Sequence, residues 1–198
     1  VRSMLEARDG AVFIGTTSGL TRWVEGAAPQ TWRRTSTGNS RALFVRTLLE
    51  DRDGRIWIGL QPGLAWWDAG QLGFDEALVE SGDTTFSLRQ CAHGSIWIGS
   101  DRGLGRWRDG VYTRLQAGHG LDETAVMGIL PDAQGNDWLI TVAGLYAVDH
   151  AALERAMDGD PQPLPWRRLG GPNSREPLAI NGGSTPSSLV APDGRFWL

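Results

Sequence analysis

The side chains that most readily do chemistry are few in this sequence. They are His93, His119 and His150, the lone Cys91, the adjacent Asp122 and Glu123, and Asp-x-Asp-Gly stretches such as Asp51 to Gly54. Metal centres draw on His and Cys at short fixed separations, i and i+4 on a helix or Cys-x-x-Cys, and none of the three histidines has that spacing. His93 falls in a turn, His119 in a loop before Gly120-Leu121, and His150 at a helix start. The Asp-x-Asp-Gly stretches lack the spacing and closing Glu of a calcium loop, so Asp51 and Asp53 read as acceptors for turn amides. Gly118-His119-Gly120 has neither the Lys nor the following helix of a phosphate cradle. Asp122 and Glu123 share one loop and have no counterpart for general acid–base work. The residues therefore predict no catalytic group, no metal ligand and no cofactor.

Composition narrows the class. The chain has 198 residues with 27 Gly and 10 Trp, the glycine content being about double the roughly 7% of an average protein. Because 40% of residues are hydrophobic and the glycines are scattered among apolar runs, this is a folded chain and not a low-complexity one. A net charge of −4 gives no basic field, which argues against nucleic acid as a partner. All 19 basic residues are Arg, in keeping with a GC-rich coding sequence. Cys91 has no internal disulfide partner, which leaves the redox compartment open. No run approaches the roughly 18 apolar residues of a membrane span, and no signal peptide is visible at Val1. A chain that opens in mid-pattern without Met reads as an excerpt of something longer.

What would position any functional residue is a repeat. Residues 1–26, VRSMLEARDGAVFIGTTSGLTRWVEG, match residues 45–70, VRTLLEDRDGRIWIGLQPGLAWWDAG. The pattern recurs over 85–110, more loosely over 126–150, and in part over 186–198. The turn glycines Gly10, Gly54, Gly94, Gly135 and Gly194 are spaced by 44, 40, 41 and 59. A period of about 40–45 with short strands belongs to β-propeller blades and not to helical arrays. Each repeat reads as four strands, A to D: Val45 to Glu50, the Asp53-Gly54 turn, Ile56 to Gly59, then Leu64 to Trp67. Strand D is clearest at Gln30 to Arg34 and Pro165 to Arg168. Small residues (Ser3, Thr47, Ser87, Gly128, Ser187) recur at the third position of strand A. Large aromatics (Phe13, Trp57, Trp97, Trp138, Trp197) recur on strand B. That taper suits wedge-shaped packing with the tryptophans as spacers between sheets. Between the fourth and fifth units extra residues enter. Those from 149 to 158 read as a short helix N-capped by Asp149, with Leu153 and Met157 on one face and Gly159 just past its end. Residues 170–186, rich in Gly, Asn, Ser and Pro, read as loop.

The predicted fold is therefore all-β: about four and a half four-stranded β-propeller blades with one short helix. The repeats fall near 1–44, 45–84, 85–125, 126–185 and, in part, 186–198. In such blades the starts of strands A, the B–C loops and the D–A loops share one end, where binding residues are expected. Candidates there are Arg2 and Arg46 at strand starts, Gln61, Asp101 and Arg102 in B–C loops, and Arg41, Asp122, Glu123 and Asn181 in D–A loops. Trp66 joins them as the one tryptophan outside the repeated registers, where other repeats carry Arg22, Arg106 and Ala147. This set suits a small polar, hydroxyl-rich or anionic molecule.

Glu50-Asp51-Arg52-Asp53-Gly54-Arg55-Ile56-Trp57-Ile58-Gly59 followed by Gly63-Leu64 resembles the two-component regulator propeller repeat. Gly94 to Gly99 with Gly103-Leu104 is similar. The fourth repeat departs, with Ile140 at the strand-end Gly position and Val148 in place of an aromatic. The helix and residues 175–186 also resemble an insertion found late in such propellers. The resemblance implies blades of a seven-bladed ring in the periplasmic input region of a membrane-bound histidine kinase or diguanylate cyclase. Its transmembrane and output parts would lie downstream, so any membrane link would run through them. The chain itself would sense a ligand without catalysis, and its end faces would meet neighbouring blades or a second copy. The alternatives are a propeller lyase resembling the streptogramin lyases, which share D-G-x-[IL]-W repeats, or a protein-binding scaffold.

Overall fold

The glycine that closes the first hairpin of every repeat adopts a left-handed backbone conformation, which a side chain would strain. Gly10, Gly54, Gly94, Gly135 and Gly194 have φ of +80°, +86°, +90°, +85° and +81°. The computed structural model describes residues 1–33, 43–121, 124–169, 188–191 and 193–197. Around these hairpins the chain forms four antiparallel meanders and the start of a fifth. The first holds β1 (Ser3–Glu6), β2 (Val12–Gly15), β3 (Leu20–Trp23) and β4 (Gln30–Trp32). The second holds β5 (Val45–Glu50), β6 (Ile56–Leu60), β7 (Gly63–Asp68) and β8 (Gln71–Asp75), and is followed by helix α1 (Glu76–Ser81). The third holds β9 (Thr85–Gln90), β10 (Ile96–Ser100), β11 (Gly103–Arg108) and β12 (Val111–Arg114). The fourth holds β13 (Val126–Pro131), β14 (Asn136–Thr141) and β15 (Gly144–Asp149), then α2 (His150–Met157) and β16 (Arg167–Leu169). A fifth sheet pairs β17 (Leu189–Val190) with β18 (Phe196–Trp197). The first strands of successive sheets lie side by side, β1 on β5, β5 on β9, β9 on β13 and β13 on β17. These are blades of a β-propeller. The loop read over 170–186, Ser187, and the candidates Arg41, Asp122, Glu123 and Asn181 lie outside the described residues.

Two devices of the repeated motif are visible. The first ties the turn to the tryptophan. Asp51 Oδ1 accepts the N–H groups of Asp53 and Arg55, each at 3.0 Å, while Oδ2 accepts Trp57 Nε1 at 2.8 Å. Asp132 repeats this with Gln134 N at 2.9 Å, Asn136 N at 2.8 Å and Trp138 Nε1 at 2.8 Å. One carboxylate thus closes the turn and satisfies a buried indole. Burial works against the charge of Asp132, but the hydrogen bonds from Asn136, Trp138 and Gln134 outweigh it and hold the carboxyl below its ordinary range. A depressed carboxylate contributes stability that is present above its unfolded value and is lost as pH falls through its folded value. Asp132→Asn is therefore expected to shallow the acid limb of a stability–pH profile. A limb superimposable on the parent's would contradict this role.

The second device lets blades approach. The strand-B glycine faces the small strand-A residue in register: Ser3 with Gly15, Thr47 with Gly59, Ser87 with Gly99. A Cβ on these glycines would strike the next blade's first strand, at Val45, Thr85 and Val126 respectively. The fourth blade exchanges the two sizes. Ile140 pairs with Gly128, where an added Cβ would lie 2.7 Å from Ile140 Cδ1. Its departure from the motif is thus a compensated one, the large residue on one strand facing a glycine on the other.

Further out, aromatic rings join neighbouring blades edge to face. Phe13 meets Trp67 at 5.1 Å, Trp57 meets Trp107 at 4.7 Å, and Trp138 meets Phe196 at 5.7 Å between centroids. In the fourth blade, where Val148 replaces the strand-C aromatic, the first residue of α2 supplies the ring: His150 lies 6.2 Å from Trp97. Helix α2 is capped by Asp149, which accepts Ala152 N at 2.9 Å, and it buries Leu153, Ala156 and Met157 in the core around Trp97. Gly159 follows at φ +100°. Arg106, on β11 and buried, reaches Glu154 Oε2 and Asp158 Oδ1, both at 2.6 Å, and so fastens the helix to the third blade. Helix α1 is not foreseen in the sequence. Asp75 caps it through Leu78 N at 2.9 Å, Gly82 ends it in the left-handed region, and Leu78 and Val79 pack inward.

Candidate functional site

The end of the blades that carries strand starts and B–C loops gathers charge around two phenylalanines. Arg2, just before β1, and Arg46, in β5, hold equivalent positions of the repeat, where β9 carries Phe86. The guanidinium of Arg2 lies 5.4 Å from the Phe44 ring centroid, and that of Arg46 lies 5.2 Å from Phe44 and 5.2 Å from Phe86. Phe44 is thus shared between two cations, each attracted to the face of its ring. The Phe44 carbonyl is fixed by Gln61 N at 3.0 Å, so the B–C loop of the second blade holds the ring in place. Asp101 is tethered through Oδ1, which accepts Thr84 N at 2.9 Å. Burial, and then the charge of Arg2, pull Arg46 below its usual guanidinium range, with Asp101 acting in the opposite sense.

Beside this cluster a cleft of about 620 Å³ opens in the third blade, lined by Asp101, Arg102, Leu104, Arg114, Gln116 and Leu121. Its two arginines converge on Asp83, which is wholly buried: Arg102 Nε lies 3.2 Å from Oδ1, and Arg114 binds Oδ2. Arg102 is accordingly engaged within the fold. The loop forming the cleft's far wall is stapled to the insertion after α2. His119 sets its two ring nitrogens against the carbonyls of Gln116 at 3.2 Å and Asp160 at 2.9 Å, and Trp166 Nε1 donates to the His119 carbonyl at 2.5 Å.

The structure thus brings Arg2, Arg46, Gln61 and Asp101 together, places Arg102 alongside but paired with Asp83, and sets Trp66 elsewhere. Trp66 sits in β7 opposite Gly73, 5.9 Å from Trp57, and lines an outer groove with Phe74 and Tyr112. Phe44 and Phe86 are contributors that sequence reasoning missed. The pattern Phe44-Val45-Arg46 held the signal, since strand alternation places residues 44 and 46 on one face. On the opposite end of the blades a recess of about 530 Å³ is lined by Asp51, Arg55, Asp68, His93, Trp107 and Asp109.

Residues 40–61, which span β5, its hairpin and β6, match the family model of the two component regulator propeller. The chain carries a two component regulator propeller repeat. No curated protein matches the chain. Among solved structures it is similar to the extracellular domain of the hybrid two component system BT4673 from B. thetaiotaomicron, with a TM-score of 0.68 and 17% identity. It is also similar to the extracellular domain of the hybrid two component system BT3049 from the same organism, with a TM-score of 0.70 and 13% identity. Both likenesses cover 100% of this chain but only 25% and 27% of those domains. A third likeness, to catalytically inactive virginiamycin B lyase from Staphylococcus aureus with quinupristin, has a TM-score of 0.66 and 13% identity, covering 99% of this chain and 61% of the lyase. At these identities the likeness is one of fold. Among the described residues no helix is long and apolar enough to cross a membrane.

Proposed function

We propose that this chain is a sensory segment: blades of a seven-bladed propeller in the periplasmic input region of a membrane-bound two-component or diguanylate cyclase receptor. It performs no catalysis and binds a small polar, hydroxyl-rich or anionic molecule at the end bearing Arg2 and Arg46. The observation that carries this reading is the gathering of two guanidiniums at one ring, Arg2 at 5.4 Å and Arg46 at 5.2 Å from the Phe44 centroid, with the tethered carboxylate of Asp101 acting on Arg46. Guanidinium pairs bind carboxylate, sulfate or phosphate groups through charge-assisted, often bidentate hydrogen bonds. The two extracellular domains of matching fold and the repeat type support the setting. Met4 and Trp23 in the first sheet and Leu189 and Trp197 in the last are exposed, as suits further blades or a second copy against each outer sheet. The lyase reading draws on the same fold likeness, with no catalytic constellation behind it among the described residues.

Calorimetric titration with a panel of sugar acids, sulfate and phosphate esters and uncharged polyols tests the site. A ligand bound by the parent protein should bind Arg46→Ala about 10- to 100-fold more weakly, as loss of one charge-assisted contact implies, with the melting temperature little changed. Equal affinity in the variant would place the binding site elsewhere.

A further inference from the structure

The hairpin of the third blade breaks the motif at both of its aspartates. Where the second blade reads Asp51-Arg52-Asp53-Gly54, the third reads Cys91-Ala92-His93-Gly94. Both replacements are metal-ligating residue types, and a third arrives from the next blade. One ligand atom each from Cys91, His93 and His150 lie within 4.8 Å of one another. Their spacing in sequence conceals this, because His150 reaches the hairpin only through the packing of α2.

The surroundings are those of a ligand set. His150 Nδ1 lies 2.6 Å from Asp137 Oδ2, and Asp137 is itself buried and held by Arg89. A carboxylate that fixes the Nδ1–H tautomer leaves the Nε2 lone pair for a metal, the usual support of a ligating imidazole. Glu154 Oε1, a buried oxygen with no hydrogen-bond partner, lies 3.7 Å from Nε2. The indole tells the same story. In the second and fourth blades the tryptophan Nε1 donates to the turn aspartate, whereas Trp97, fully buried, has its Nε1 without a partner. The residue at that turn position is Cys91, 1% exposed, and a thiol is a poor acceptor. Metal binding would turn the side chain at this position, where Asp51 serves Trp57, into a thiolate, a better acceptor than a thiol.

We propose that Cys91, His93 and His150 bind a borderline-soft divalent cation of the Zn²⁺ type. Cys91 binds as thiolate, its proton passing to solvent; His150 binds through Nε2, with Glu154 or water in the fourth position. Tetrahedral Zn²⁺ holds S and N ligands roughly 3.5 Å apart, so the atoms must draw in by about 1 Å. Exposed His93, on the turn tip, can supply that movement. The ion would bridge the third blade's hairpin to α2 of the fourth.

Titration of the metal-free protein with Co²⁺ reads the site directly. The expected result is a thiolate-to-cobalt charge-transfer band that saturates at one equivalent and is chased by Zn²⁺. Cys91→Ser should abolish the band. His93→Ala, a change on an exposed turn that leaves the circular dichroism unaltered, should weaken affinity by at least about tenfold. Absence of the band in the parent, its survival in Cys91→Ser, or parental affinity in His93→Ala would each overturn the proposal.

Discussion

Replacing Trp57 by alanine is expected to destabilise the fold by about 3–5 kcal/mol, the range for deleting a large core aromatic. The ring is 1% exposed and lies edge-on to Trp107 of the next blade at 4.7 Å between centroids. Its loss opens a cavity between two sheets at a radius where neither can close without moving its inner strands. It also strips Asp51 Oδ2 of its only indole donor in a buried setting. Trp57→Phe separates the two contributions, because it keeps most of the packing and removes the N–H; its cost should fall near the roughly 1–3 kcal/mol of an unsatisfied buried polar group. Trp66→Ala, which removes a half-buried ring lying over Gly73, should cost less than Trp57→Ala. Urea denaturation of the three variants gives the order, and a Trp57→Ala midpoint equal to the parent's would contradict the assignment of strand-B tryptophans as packing between blades.

A branched side chain at Gly99 should be nearly as damaging. A Cβ there would lie 2.5 Å from the Val126 carbonyl oxygen and closer still to Ser87 Oγ. The first obstacle is backbone of the next blade and cannot rotate away. Gly99→Ile is therefore expected to exceed the roughly 1–3 kcal/mol typical of overpacking. Adding Ser87→Gly reproduces the Gly128–Ile140 exchange of the fourth blade and should recover part of the loss, not all of it, because the Val126 carbonyl remains. A double-mutant cycle by denaturation measures the coupling. Strict additivity would mean that the exchange in the fourth blade is no compensation.

These expectations also mark what the sequence makes legible. Strands, hairpins and blade count follow from local chemistry repeated along the chain: Ile56-Trp57-Ile58-Gly59 is short, β-branched and aromatic as a buried strand is, and Asp53-Gly54 supplies its turn. Helix α2 is legible because Asp149, Leu153, Met157 and Gly159 each fill a recognisable helical position. Helix α1 carries the same kind of cap and stop, Asp75 and Gly82, but its six residues hold too little apolar periodicity to stand out from a strand-to-strand connection. The candidate site is half legible. The strand-start arginines are visible from topology, yet the pairing of Arg102 with Asp83 and the sharing of Phe44 by two guanidiniums depend on inter-blade distances that no linear spacing encodes. Cys91, His93 and His150 are hidden for the same reason: two come from one hairpin and the third from a helix in the next blade.

A sensory role for the Arg2–Arg46 end is tested most directly by the signalling output of the full-length protein carrying Arg2→Ala and Arg46→Ala together. The expected result is loss of the ligand-dependent response, with protein level and thermal stability unchanged. A full response from the double variant would contradict the placement of ligand recognition at this end of the blades.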